Sequence, residues 1–279
     1  MNRGVRLLLW GLAGLVGVVV VGGYGLLAGW HIEDVPPAEI SSLLRPHDLV
    51  FKPDGEEPFP TVLLFHGCGG LRDHNAAWGQ FLAKLGWASL AVDSYTGRGL
   101  AWQTVCSGRA LLGPERAGDV LVTLDDARRM PWVDPRRMVL MGWSHGSYAI
   151  MDLLAMDPPQ SRPTNLSEVP AQPLGGVIGS VLFYPYCSFG ARSPGHWSLP
   201  SPALFLLSEQ DSITPIEDCI ETIDTLAARG LPVTKHVYPG VDHGFDAFDT
   251  RGDYESMYDE GTTQQARQRV AGFLASLAR

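Results

Sequence analysis

The segment "MGWSHGS", residues 141–147, sets Ser144 between Gly142 and Gly146. A serine hydroxyl is a weak nucleophile until a base removes its proton and an acid orients that base. Five residues of this pattern prove little, so the surroundings decide. The apolar stretch Met138–Met141 runs into the motif, and "SYAIMDLLAM" (147–156) leaves it at helical spacing. A strand–turn–helix setting of this kind lifts a serine out of the chain. Glycine is then needed at 142 and 146, where a side chain would clash as strand and helix backbones converge. The starting helix also turns its positive end toward a developing oxyanion. The competing reading, a glycine-rich loop with a bystander serine, fits this context poorly. The partners should follow as acid, then histidine, each in a loop after a later strand. Asp211 directly follows the strand-like "PALFLLSEQ", and His243 lies in "YPGVDHGF" after the last such segment.

Each partner has competitors. Glu209 stands two residues before Asp211 but nearer the sheet, and Asp242 adjoins His243 but is expected to face solvent. Among the histidines, His236 falls within a strand, and His31, His47, His74 and His196 have no strand-end context. His145 matters for its backbone N–H rather than its ring, as one of two donors to an oxyanion. The second donor is expected from "HGCGG" (66–70), at Cys68 or Gly69, with Cys68 favoured and His66 bracing the loop. That segment also reads as a plain tight turn. Trp102, Trp143, Tyr184 and Tyr186 are candidates to line the site, although aromatic residues more often fill a core.

These residues must be positioned by a regular frame. Strand-like runs at 61–70, 87–95, 136–146, 175–186, 202–211 and 233–240 alternate with helix-like runs at 75–86, 113–130, 147–156, 214–230 and 262–278. In 214–230, Thr214 suits a cap, Pro215 the first turn, Glu217 a capping box and Gly230 the stop. Such alternation implies a mostly parallel α/β sheet with helices on both faces, whose sites form at the carboxyl ends of the strands. The motif-bearing loops fall there.

The chain has 279 residues with a formal charge of −9. That acidic balance, with no basic cluster, argues against a nucleic-acid partner. No charged residue occurs from Leu7 to Trp30, a 24-residue stretch, and about 20 residues suffice to cross a bilayer. Arg3 and Arg6 precede it, while Glu33 and Asp34 follow, which orients the remainder away from the cytoplasm. Residues 1–31 therefore read as one transmembrane signal-anchor helix, with a cleaved signal peptide as the alternative. Residues 32–47, containing Pro36-Pro37, read as an extended linker, and 48–279 as the globular domain. The four cysteines suit an oxidising compartment; no CxxC pair or zinc-type His/Cys spacing signals a metal.

In order along the chain, "HGCGG", "DSYTGRG", "GWSHG", "FYPYC", "SEQD" and "DHGF" resemble the dienelactone hydrolase family of the α/β-hydrolase superfamily over roughly residues 48–278. The resemblance implies an α/β-hydrolase fold with a sheet short of about one strand, hydrolysis of a small-molecule carboxylic ester or lactone, and no cofactor. Serine stands at 144 where the family's name-giving enzymes carry cysteine, so dienelactone itself is not the expected substrate. The family's strand order also implies disulfides Cys68–Cys106 and Cys187–Cys219 among the three pairings that four cysteines allow. The expectation is thus a membrane-anchored, extracytoplasmic serine esterase with a Ser144–Asp211–His243 triad and Cys68 and His145 as oxyanion donors. Its rivals are a peptidase or acyltransferase using the same triad, and a catalytically silent binding module, which would have no need to keep all three residues.

Overall fold

The computed structural model describes residues 34–156, 158, 160–163, 165–193, 197–248 and 257–277. The expected anchor, residues 1–31, lies outside the described residues, and among these no helix is long and apolar enough to cross a membrane.

Seven strands form one sheet: β1 (Leu49–Phe51), β2 (Phe59–Phe65), β3 (Ala88–Val92), β4 (Val133–Trp143), β5 (Val177–Phe183), β6 (Ala203–Ser208) and β7 (Val233–Tyr238), in the order β1-β3-β2-β4-β5-β6-β7. All pairs are parallel except β1–β3. The helices are α1 (Pro37–Leu44), α2 (Asp73–Lys84), α3 (Trp102–Cys106), α4 (Gly113–Ala127), α5 (His145–Ala155), α6 (Ile216–Ala228) and α7 (Glu260–Leu277).

Strand side chains alternate between faces, and both faces here are covered. Leu63, Phe65, Met138 and Leu140 pack with α1, α4, α5 and α6. Val62, Leu64, Val139 and Met141 pack with Trp78 and Leu82 of α2 and with Ala266, Val270 and Leu274 of α7. Double-sided burial is why these strands read as unbroken apolar runs instead of alternating ones. The register sets Phe65 beside Gly142 and Trp143 beside Phe183. The loops carrying Cys68, Ser144, Asp211 and His243 therefore leave the same edge of the sheet.

Two local expectations are corrected. Much of the stretch read as an extended linker is helix α1, with Ile40 and Leu44 buried and Ser41 Oγ donating to Asp126 on α4 at 2.6 Å. Of the two prolines, Pro36 alone is extended (ψ 147°); Pro37 starts the helix, where its fixed φ and missing N–H cost nothing. Thr214 does not cap α6: Pro215 is the residue before it, no side chain caps it, and the Thr214 N–H donates to Asp211 at 2.7 Å. The acid's own turn takes the residue that the helix start would have used. Strand β1 was not foreseen, being three residues long and half exposed.

Candidate active site

At the β4–α5 junction Ser144 has φ 49° and ψ −113°, a sparsely populated region for an L-residue, costing ~1–3 kcal/mol. The surroundings force it. A Cβ at Gly142 would lie 2.6 Å from Ser147 N, and one at Gly146 would overlap the Phe65 carbonyl. The strain exposes the hydroxyl to a base: Ser144 Oγ lies 2.9 Å from His243 Nε2. On the other side of the ring, Nδ1 is 2.9 Å and 3.0 Å from the two Asp211 oxygens. With the proton assigned to Nδ1, the imidazole donates to Asp211 and accepts from Ser144. The His243 and Asp211 side chains are only 5% and 3% exposed, so water competes little for these bonds. Asp211 is fixed in turn by accepting the N–H groups of Ile213 and Thr214 at 3.0 and 2.7 Å.

The neighbouring acids have other tasks. Glu209 accepts the Gly240 N–H at 3.0 Å. Asp242, expected to face solvent, accepts the N–H groups of Ser212 and His243 at 2.7 and 2.6 Å, tying the acid's loop to the base's loop.

Cys68 and His145 both border the cavity at Ser144. Among the described residues, neither backbone N–H donates a hydrogen bond. His145 is the first residue of α5, where an N–H has no partner inside its helix. The His66 ring is fully buried and the His145 ring partly so, and burial, with the Arg116 cation beside them, holds both well below the usual histidine range.

Two cavities meet at Ser144. One, of about 350 Å³, is walled by Val105, Leu112, Tyr148, Tyr186, Phe189 and Ile213. The other, of about 300 Å³, is walled by Arg72, His74, Trp102, Trp143, Tyr184, Phe248 and His243. Cys68, Cys106 and Ile213 border both. All four aromatic residues singled out in the sequence thus line one cavity or the other, and so does His74. Disulfides join Cys68 to Cys106, linking the 66–70 loop to α3, and Cys187 to Cys219, linking the loop after β5 to α6.

Asp246 and Arg116 are two residues of the site that the sequence reading did not single out. Asp246, 1% exposed, accepts from Trp78 Nε1 and Trp143 Nε1 at 2.7 and 2.8 Å and from the Tyr184 hydroxyl at 2.6 Å. Trp143 precedes Ser144, and the Tyr184 ring sits 4.6 Å from that of His243. Asp246 thus underpins the positions of both Ser144 and His243. "DHGFDAF" places it three residues past the histidine, a weak signal in a chain with many surface acids. Arg116 is fully buried on α4; its position on an amphipathic helix resembles a surface residue until Ser94, Tyr95 and the start of the 66–70 loop close over it.

Comparison with known proteins agrees with this architecture. Residues 166–278 match the model of the dienelactone hydrolase family. The acylamino-acid-releasing enzymes of rat and of rice are 24% and 26% identical over 76% and 72% of this chain. The matched regions span only 31% and 29% of those proteins. Among solved structures, a dienelactone hydrolase-like promiscuous phosphotriesterase from metagenomic libraries aligns with TM-score 0.65 at 15% identity, covering 82% of this chain and 92% of that one. Thermogutta terrifontis esterase 2 aligns with TM-score 0.60 at 17% identity, covering 82% and 89%. Residues 166–278 thus match the dienelactone hydrolase family over part of the chain, and the chain has the α/β-hydrolase-like fold of these solved structures.

Proposed function

We propose that the protein is a serine hydrolase of carboxylic esters or lactones that works through an acyl-enzyme on Ser144. The observation that carries this reading is the unbroken line from Ser144 Oγ through the His243 ring to Asp211, at 2.9 Å on each side. His243 takes the hydroxyl proton as Ser144 attacks the acyl carbon, and Asp211 stabilises the imidazolium that forms. The tetrahedral oxyanion sits against the N–H groups of Cys68 and His145. His243 then protonates the departing alcohol oxygen. Because that proton leaves from Nε2, the alcohol side belongs in the cavity that His243 lines, and the acyl side in the cavity of Tyr148 and Phe189. Water, activated by His243, frees the acid.

The two disulfides suit an extracytoplasmic site, and the uncharged stretch from Leu7 to Trp30 suits attachment to a membrane. The likeness to acylamino-acid-releasing enzymes favours one second reading, release of N-acyl amino acids from amides by the same triad.

The test compares wild type with Ser144→Ala on p-nitrophenyl esters from acetate to laurate, on an N-acetyl-alanine p-nitroanilide and with a fluorophosphonate label. Ester turnover and labelling in wild type, both lost in Ser144→Ala, support the esterase reading. Preference for the anilide moves the reading to the amidase. Folded wild type that neither labels nor turns over any of these substrates overturns both.

A further inference from the structure

Arg116 is a fully buried cation whose partners are not carboxylates. Its Nε donates to Ser94 Oγ at 3.1 Å, and its Nη1 lies 2.8 Å from the His66 carbonyl and 2.9 Å from His145 Nδ1. The buried acid on the same helix, Asp119, is engaged by Arg98 at 2.6 and 3.0 Å. A lone buried charge is costly, so its partners bear on what it does. They are Ser94, His66, which stands two residues before the candidate donor Cys68, and His145, which is itself the other candidate donor.

The His66 side of the contact can be followed atom by atom. His66 Nδ1 lies 2.7 Å from the Gly67 carbonyl, and Nε2 lies 3.2 Å from the Ser94 N–H. The tautomer with its hydrogen on Nδ1 satisfies both bonds; Arg116 Nη2, 3.2 Å from the same nitrogen, is then a close neighbour and not a hydrogen-bond donor to it, so the Arg116 bond to His66 is the one to its carbonyl. The Gly67 carbonyl and the Cys68 N–H belong to one planar peptide, pointing opposite ways. Holding the carbonyl therefore aims the Cys68 N–H. The Cys68 carbonyl is held too, accepting from the Tyr95 hydroxyl at 3.2 Å, and the Arg116 guanidinium lies 5.6 Å from the Tyr95 ring centre. On the other side, the bond to His145 Nδ1 anchors the first residue of α5, whose own N–H is the second donor. One nitrogen, Nη1, thus reaches both halves of the oxyanion site while Nε of the same plane is tied to Ser94 Oγ, an arrangement that lysine, with a single nitrogen, cannot reproduce.

We propose that Arg116 is a positioning residue for the oxyanion: through His66 and His145 it aims both backbone donors, and its charge favours the negative oxygen of the tetrahedral state over the neutral carbonyl of the ester. The inference rests on the reading of Ser144 as nucleophile. It gives Arg116 no contact with substrate, so its removal should weaken the transition state and leave ester binding nearly unchanged.

The experiment uses the full chain with Arg116→Met, which keeps the stem and removes the fork, and Arg116→Lys, which keeps the charge. Each is checked by circular dichroism, then measured for kcat and KM on a p-nitrophenyl ester. Inhibition by a trifluoromethyl ketone, whose adduct with the serine bears an oxyanion, is measured beside them. Loss of a single oxyanion donor costs roughly 10²–10³-fold in rate, and two misaimed donors place Arg116→Met in roughly that range. Inhibitor affinity should fall with kcat/KM while KM stays within about twofold, and Arg116→Lys should lie between. The proposal is overturned if folded Arg116→Met keeps kcat within about threefold of wild type, or loses rate with unchanged inhibitor affinity. Should Arg116→Met fail to fold, Arg116→Lys decides by the same criterion: parallel loss of rate and inhibitor affinity supports the inference, and wild-type values for both overturn it. Ser144→Ala is run alongside. Esterase activity surviving in Ser144→Ala overturns the nucleophile reading itself, whereas a dead Ser144→Ala beside unaffected Arg116 variants overturns this inference alone.

Discussion

Replacing Asp246 offers a sharp check on the physics beneath the site. Its carboxylate accepts from two indole N–H groups and one phenol at 2.6 to 2.8 Å, in a place with almost no solvent. Asp246→Ala removes the acceptor that two indole N–H groups and the Tyr184 hydroxyl share, each lost hydrogen bond of a buried donor costing about 1–3 kcal/mol. The vacated volume is close to that of one water, which could satisfy two of the three. The expected loss is therefore about 1–3 kcal/mol with such a water in place and up to about 9 kcal/mol without it, set against the ~5–15 kcal/mol that holds a typical domain together. Asp246→Asn should cost less, about 1–2 kcal/mol, because its oxygen can accept from both indoles while its amide donates to a rotated Tyr184 hydroxyl. Ester turnover should fall in both variants, since Trp143 precedes the nucleophile and Tyr184 packs against the base. Urea unfolding followed by far-ultraviolet circular dichroism avoids relying on Trp78 and Trp143 as probes of their own environment. If Asp246→Ala unfolds within about 0.5 kcal/mol of wild type, or if Asn proves costlier than Ala, the hydrogen-bond argument fails.

Two other perturbations read different forces. Asp152 on α5 is fully buried, one oxygen accepting the Arg192 N–H at 2.7 Å while Oδ2 has no partner among the described residues; burial pushes its carboxyl up to about 8. The folded state then keeps a proton that the unfolded chain releases near pH 4, so this group's contribution to stability falls as pH rises from about 4 to 8 and levels off above. Asp152→Asn carries no such proton; its melting temperature relative to wild type should rise between pH 5 and pH 8.5, and parallel curves would refute the assignment. The Cys187–Cys219 bridge closes a loop with sequence separation 32, for which chain entropy gives about 4 kcal/mol. The Cys187→Ser/Cys219→Ser double variant should lose up to that amount in urea unfolding without reductant, and a loss below about 1 kcal/mol would show that the bridge constrains little.

Much of this protein is short-range. Continuous apolar runs dictate strands buried on both faces, helical spacing dictates the intervening helices, and the close approach at the β4–α5 turn dictates glycine at 142 and 146. These effects act within a few residues, so the order Ser144, Asp211, His243 at the carboxyl edge of the sheet was legible before any coordinates. The family resemblance added the disulfide pairing, which spacing alone leaves open. Other features depend on what the fold brings against each residue. Pro36-Pro37 looks like a stiff linker until α4 offers α1 a surface to cover, and Thr214 looks like a cap until Asp211 claims its N–H. Trp78 meets Asp246 across 168 residues of sequence, and Arg116 meets His66 across 50. An aspartate or arginine is, by type, a surface residue; only tertiary closure removes its water and supplies the donors or acceptors that replace it. The placement of Ser144, Asp211 and His243 was therefore written locally, while the burial of Asp246 and Arg116 was decided by packing.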